Sequence, residues 1–162
     1  GMGPPARRPH RQLRSLSLRD SQTVRAVFAD TVFWVAIFRH NDPWKLAARH
    51  AKKALGRARL VTTDEVLTEF LTALSAAGPL ARTQAAQFVR TVLSHPEIEV
   101  RPQSRQSFLR GLELYETRLD KNYSLTDCIS MNVMRAASID EALTNDRHFS
   151  QEGFTVLMTQ KE

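Results

Sequence analysis

Cysteine is nearly absent from these 162 residues: the single Cys128 excludes an intramolecular disulfide framework and any CxxC zinc site, which fits a reducing, cytoplasmic setting. Long apolar runs are missing as well. No stretch approaches the length of a membrane span, so a soluble protein is expected. The five histidines are scattered, so no His/Cys cluster competes for zinc. Internal repeats are absent, and so is low complexity outside the N-terminus. What remains is ordinary for a globular chain, with 42% hydrophobic and 25% charged residues. The length suits one domain with a proper core.

The formal charge of +6 is unevenly placed. Residues 1–25 carry Arg7, Arg8, Arg11, Arg14, Arg19 and Arg25 against one acid, Asp20, which leaves the body near neutral. Residues 1–24 therefore read as a basic N-terminal extension, with Gly1 ahead of Met2 a cloning remnant and no apolar segment of secretory type. Residues 25–162 read as the folded domain. The basic pI reflects the tail more than the fold and points only weakly to nucleic acid.

Along the body, "AVFA" (26–29) is a short strand ending in Asp30, followed at once by the helix "TVFWVAIF". Asp42-Pro43 supplies an N-cap and first-turn proline for a second helix to about Gly56. "RLVT" (59–62) is the next strand, and Thr62-x-x-Glu65 has the capping-box pattern for the following helix. Gly78-Pro79 separates that helix from another, ended by Pro96. "EIEVRP" (97–102) alternates as an edge strand does, and Ser104 opens a helix to about Leu119. "SLTDCISMNVM" (124–134) is apolar nearly all round, as a buried helix is, with Cys128 as core filling. "EALTND" (141–146) and "FTVLM" (154–158) close the chain as strands. Strands separated by helices imply an α/β fold, a mostly parallel sheet with helices on both faces.

In such sheets ligands bind beyond the carboxyl ends of the strands. Asp30 and Asp146 follow strands, and Asp127 and Glu69 lie near helix starts that point the same way. Singly, each has a plain structural reading: Asp30 and Asp146 as N-caps, Asp127 in a capping box with Ser124, and Glu69 facing water. The pattern alone does not separate Glu69 from Glu65 on the same helical side. Together, four acids at one end of one sheet raise each other's pKa unless a cation sits between them. Oxygen-only ligation suits Mg²⁺ or Mn²⁺. The helix start would favour an ionised Asp127. His148, close to Asp146 in sequence, reads as a packing or surface residue.

"FADTVFWVAIF", "LVTTDEVLTEFLTAL", "YSLTDCISMNVM" and "EALTNDRHFSQEGFTVL" resemble the PIN-domain ribonuclease family, particularly VapC-type toxins of prokaryotic toxin–antitoxin pairs. The resemblance runs from about Val27 to Met158. It implies a PIN-like three-layer sandwich and Mg²⁺- or Mn²⁺-dependent hydrolysis of single-stranded RNA. By position it makes Asp30, Glu69, Asp127 and Asp146 the catalytic, metal-holding acids, with Thr31, Thr126 and Arg147 as supporting or phosphate-contacting groups. Family members often carry a small or hydroxyl residue two places after the first aspartate; Val32 stands here, and that contact is lost. The resemblance further implies a cognate antitoxin, whose tail fills the acidic groove, and a homodimer.

Two other phosphoryl-handling folds fit poorly. A haloacid-dehalogenase-type enzyme requires a second aspartate where Val32 lies, and a receiver domain requires an acid ending a middle strand. A PIN-like module that binds RNA or protein without cutting is the alternative from a different class. Lys45, Arg49, Lys52 and Lys53 line one side of a helix, a solvated face or an RNA-steering one. Trp34 and Trp44 are expected to pack.

Overall fold

A computed structural model describes residues 24–160; the Arg-rich segment through residue 23, and with it the reading of an N-terminal extension, lies outside the described residues. Five strands, β1 (Arg25–Ala29), β2 (Ala58–Thr63), β3 (Ile98–Arg101), β4 (Glu141–Leu143) and β5 (Thr155–Val156), form one sheet in the order β3-β2-β1-β4-β5. Every pairing is parallel. Val27, Phe28 and Ala29 of β1 are all fully buried although their side chains alternate in direction, so both faces of the sheet are covered.

The helices are α1 (Thr31–Phe38), α2 (Lys45–Ala54), α3 (Asp64–Ala73), α4 (Pro79–Ser94), α5 (Arg105–Thr117), α6 (Leu125–Ala136) and α7 (Arg147–Gln151). From β1 the chain steps outward to β2 and β3, then crosses back to β4 and β5. Right-handed crossovers put the helices of the first leg on one face and those of the second on the other. The packing agrees: α1 lies against α2 and α3, α3 against α4, and α5 against α6. The three-layer α/β architecture expected from the sequence is therefore present.

On the first face, Phe38, Phe70 and Phe88 meet with ring centroids 5.3 to 5.5 Å apart. Trp34 is buried and donates its indole N–H to Thr62 Oγ1 at 3.2 Å, so it packs as expected. On the second face, α6 buries Cys128, Ile129, Met131 and Met134. It approaches α5 closely at Gly111, where a Cβ would lie 2.5 Å from Ile129 Cγ1. Burial pushes the Cys128 thiol up to about 11, which suits core filling and not a nucleophile.

Some boundaries differ from the sequence reading. The N-cap of α3 is Thr63, whose hydroxyl accepts from Val66 N at 3.1 Å, so the cap lies one residue beyond Thr62. Asp42 does not start α2; its carboxylate accepts from Trp44 N at 2.8 Å, closing a turn, and the helix begins at Lys45. The strand expected over 141–146 ends at Leu143 because Asp146 caps α7, one turn too short to show helical periodicity. β5 is regular over two residues only, yet Leu157 N and Met158 N still bond to Ala142 O and Thr144 O.

Glu152, just after α7, joins the elements of the second face. Its carboxylate accepts from Arg118 Nε (2.6 Å), Arg135 Nη2 (2.5 Å) and the Tyr123 hydroxyl (3.1 Å). Burial by itself raises this carboxyl, but the three hydrogen bonds outweigh it and hold the group down at about 2.

Both the α5–α6 contact and Glu152 can be probed by unfolding. Gly111→Ala should lower unfolding free energy by about 1–3 kcal/mol in urea titration, the usual range for overpacking, despite alanine's better helix propensity. In the unfolded chain Glu152 titrates near 4.5 and in the folded one near 2. Its stabilisation is thus complete above about 4.5 and lost as pH falls toward 2; Glu152→Gln should flatten that acid limb.

Candidate metal centre

The strand order reverses between β1 and β4, and the crevice at their carboxyl ends is where open α/β sheets bind ligands. Asp30 leaves β1 there and Thr144 leaves β4. Asp30 N donates to Leu143 O at 3.2 Å, and Thr144 Oγ1 donates to Asp30 Oδ2 at 2.8 Å, stitching the two strand ends together. Asp30 occupies the N-cap position of α1, but its carboxylate makes no capping bond to that helix. The plain reading of Asp30 as a cap is thereby removed.

The residue is only 4% exposed. Burial pushes its carboxyl up to about 7, past the lowering by Thr144 and the Thr31 backbone, and the charges of Asp127 and Glu69 add to the rise. Glu69 is the α3 acid whose charge adds to this rise. Thr31 donates its hydroxyl to Glu69 Oε1 at 2.5 Å, which fixes the direction of that carboxylate.

Asp127 and Asp146 do act as caps. Ser124 and Asp127 form a reciprocal capping box, with Ser124 N donating to Asp127 Oδ2 at 3.0 Å. Asp146 Oδ1 accepts from His148 N at 2.9 Å at the start of α7. The helix start does favour an ionised Asp127, through the Ser124 amide, but burial opposes it. Burial raises its carboxyl, Asp146 adds to the rise, and the Ser124 amide and His148 only partly offset it. His148 Nδ1 lies 3.3 Å from both Asp127 Oδ2 and Asp146 Oδ1. Ligand atoms of Asp127, Asp146 and His148 all fall within 4.8 Å of one another.

The structure therefore brings Asp30, Glu69, Asp127 and Asp146 to one end of the sheet, with Thr31 beside them. Thr126 lines a shallow hollow of about 490 Å³ with Thr31, Glu65 and Glu69. That hollow continues past Gln103 and Thr126 into a second, about 450 Å³, bounded by Arg105 and Phe108. Arg147 is exposed on the first residue of α7. Val32 is half-buried against the core.

The cationic helix side is not beside the acids. Lys45 Nζ donates to Ile37 O and Arg39 O, closing the end of α1. Arg49, Lys52 and Lys53 border a groove of about 560 Å³ that includes Ala58, Leu60 and Ile98, at the amino ends of β2 and β3. Three residues at the centre had no such role in the sequence reading: Thr144, His148 and Tyr123, whose ring meets the His148 ring edge-on at 5.2 Å. The Thr-x-Asp-x-His spacing was the available signal for the first two.

This arrangement of acids on this topology has a family. The chain matches the PIN domain model over residues 27–154 and belongs to that family. The crystal structure of Mycobacterium tuberculosis VapC20, a sarcin–ricin loop cleaving toxin, superposes with a TM-score of 0.72 at 25% identity. The match covers 82% of this chain and 99% of that one. No curated protein matches the chain. No helix among the described residues is long and apolar enough to cross a membrane.

The raised Asp30 carboxyl sets a pH dependence for the metal-free protein. With the folded value near 7 and the ordinary value near 3.8, the folded state holds the proton longer. Stability should therefore fall as pH rises from about 4 to about 7, and Asp30→Asn should make that slope shallower in urea unfolding at graded pH.

Proposed function

We propose that the chain is a metal-dependent endoribonuclease that hydrolyses phosphodiester bonds of single-stranded RNA, acting as the toxin of a cytoplasmic toxin–antitoxin pair. The observation that carries this reading is the cation-poor gathering of buried Asp30 and Asp127 with half-buried Glu69 and Asp146 in a PIN-family chain. Among the described residues, only His148 lies within ion-pairing distance of any of these four acids. Oxygen donors crowded in this way fit a hard divalent ion, and Asp30, Glu69, Asp127 and Asp146 would hold Mg²⁺ or Mn²⁺. Such an ion, when bound, supplies positive charge that acidifies water and stabilises a leaving oxygen.

The chain's own groups do the positioning. Thr144 holds Asp30 by one oxygen, Thr31 holds Glu69, and the Ser124 amide holds Asp127. A carboxylate oxygen held by one such hydrogen bond retains lone-pair capacity for a cation. The paired hollows give a strand of RNA a path along Glu69 and Thr126 to Arg105 and Phe108, with Arg105 and Arg147 as phosphate contacts.

The relative's activity makes a sarcin–ricin stem-loop the first RNA to offer, beside unstructured RNAs. For the antitoxin, the apolar groove floored by Phe33, Trp34 and Phe88 and rimmed by Arg49, Lys52 and Lys53 suits an acidic amphipathic segment. Exposed Phe108, Tyr115 and Leu119, spaced along one side of α5 and just beyond it, support self-association as a homodimer.

Asp30→Asn and Asp127→Asn should each lower Mg²⁺- or Mn²⁺-dependent cleavage by about 100-fold or more, with folding retained by circular dichroism. Wild-type protein that binds RNA but cuts none of a broad set, with either metal present, would instead identify a non-cleaving module.

A further inference from the structure

Four acids suffice for an all-oxygen centre, yet the side chain nearest two of them is an imidazole. His148 Nδ1 stands 3.3 Å from Asp127 Oδ2 and 3.3 Å from Asp146 Oδ1. Adjacent donors around an octahedral ion with bonds of about 2.1–2.2 Å are separated by about 3 Å, the bond length times the square root of two. The two nitrogen–oxygen separations thus approach the spacing of neighbouring ligands on one ion, and the ligand atoms of all three residues lie within 4.8 Å of one another. The ring presents nitrogen, not carbon, to these oxygens, and in the metal-free protein Nδ1 is within hydrogen-bonding distance of Asp127 Oδ2.

The ring is also held in place. Its backbone N–H bonds to Asp146 Oδ1 in the first turn of α7. Tyr123 braces it edge-on at 5.2 Å, and the Tyr123 hydroxyl bonds to Glu152, itself fixed by Arg118 and Arg135. Together these contacts restrict the ring's orientation. Of the five histidines, His148 is the only one paired with carboxylates among the described residues.

We propose that His148 is a nitrogen ligand of the divalent ion held by Asp127 and Asp146, and that it biases the centre toward Mn²⁺ over Mg²⁺. The inference rests on the metal-dependent reading above. Its chemistry is that of the donors: Mg²⁺ is hard and keeps to oxygen and water, whereas Mn²⁺, a first-row transition ion, accepts imidazole more readily. Asp127, Asp146 and His148 would then hold the ion from one side of the crevice, and Asp30 and Glu69 would supply further oxygen donors.

The test is pulsed electron paramagnetic resonance on Mn²⁺ bound to the full chain. Directly coordinated ¹⁴N coupling is expected in the wild type, changing to the ¹⁵N pattern when histidine is ¹⁵N-labelled. His148→Gln should lose that coupling and bind Mn²⁺ about tenfold or more weakly, with Mg²⁺ affinity changed much less. His148→Phe, which keeps the ring contact with Tyr123, should behave alike, and thermal melts of both variants check folding. If either variant fails to fold, the isotope result on the wild type decides alone. Bound Mn²⁺ without nitrogen coupling, but lost in Asp127→Asn, would overturn the His148 role and leave the metal reading intact. No bound Mn²⁺ in the wild type would overturn both.

Discussion

A carboxylate with almost no access to water, and no arginine or lysine paired with it among the described residues, sits at the end of the central strand. Asp30 has a neutral hydroxyl from Thr144 for its closest partner and two further acids within electrostatic reach. Left ionised and alone, this arrangement works against folding. The rest of the molecule is arranged so that it persists. The buried β1, the aromatic cluster over it and the tightly apposed α5–α6 pair supply the rigidity that keeps four acids from moving apart.

The contrast with Glu152 is instructive because both acids are largely withdrawn from solvent. Two arginines and a tyrosine satisfy Glu152 and hold its carboxyl near 2; Asp30 lacks any such cation and is pushed to about 7. One fold thus builds an acid neutralised by cations, which ties helices together, and an acid held only by a neutral hydroxyl. Through Tyr123 the two sites are mechanically joined, since the same side chain bonds Glu152 and braces His148.

Much of this was legible in the residues. Strand–helix alternation implied the sheet, and the positions of Asp30, Asp127 and Asp146 after strands or at a helix start placed them at one end of it. The family resemblance chose Glu69 over Glu65, and the structure puts Glu69 within electrostatic reach of Asp30. Other features were not legible because they depend on contacts distant in sequence. Nothing local indicates that Thr144 reaches back 114 positions to Asp30, or that Lys45 is spent on the end of α1. The competition at Asp127 between helix start and burial needs three-dimensional crowding to decide, and α7 is a single turn that leaves no periodic trace.

Cys128 is the immediate neighbour of Asp127, fully buried and with its thiol pushed up to about 11. Its sulfur is therefore withheld from oxidants and alkylating reagents for as long as α6 stays docked. Because the chain has no other cysteine, the rate at which a thiol reagent labels the protein reports how often the helix bearing Asp127 opens.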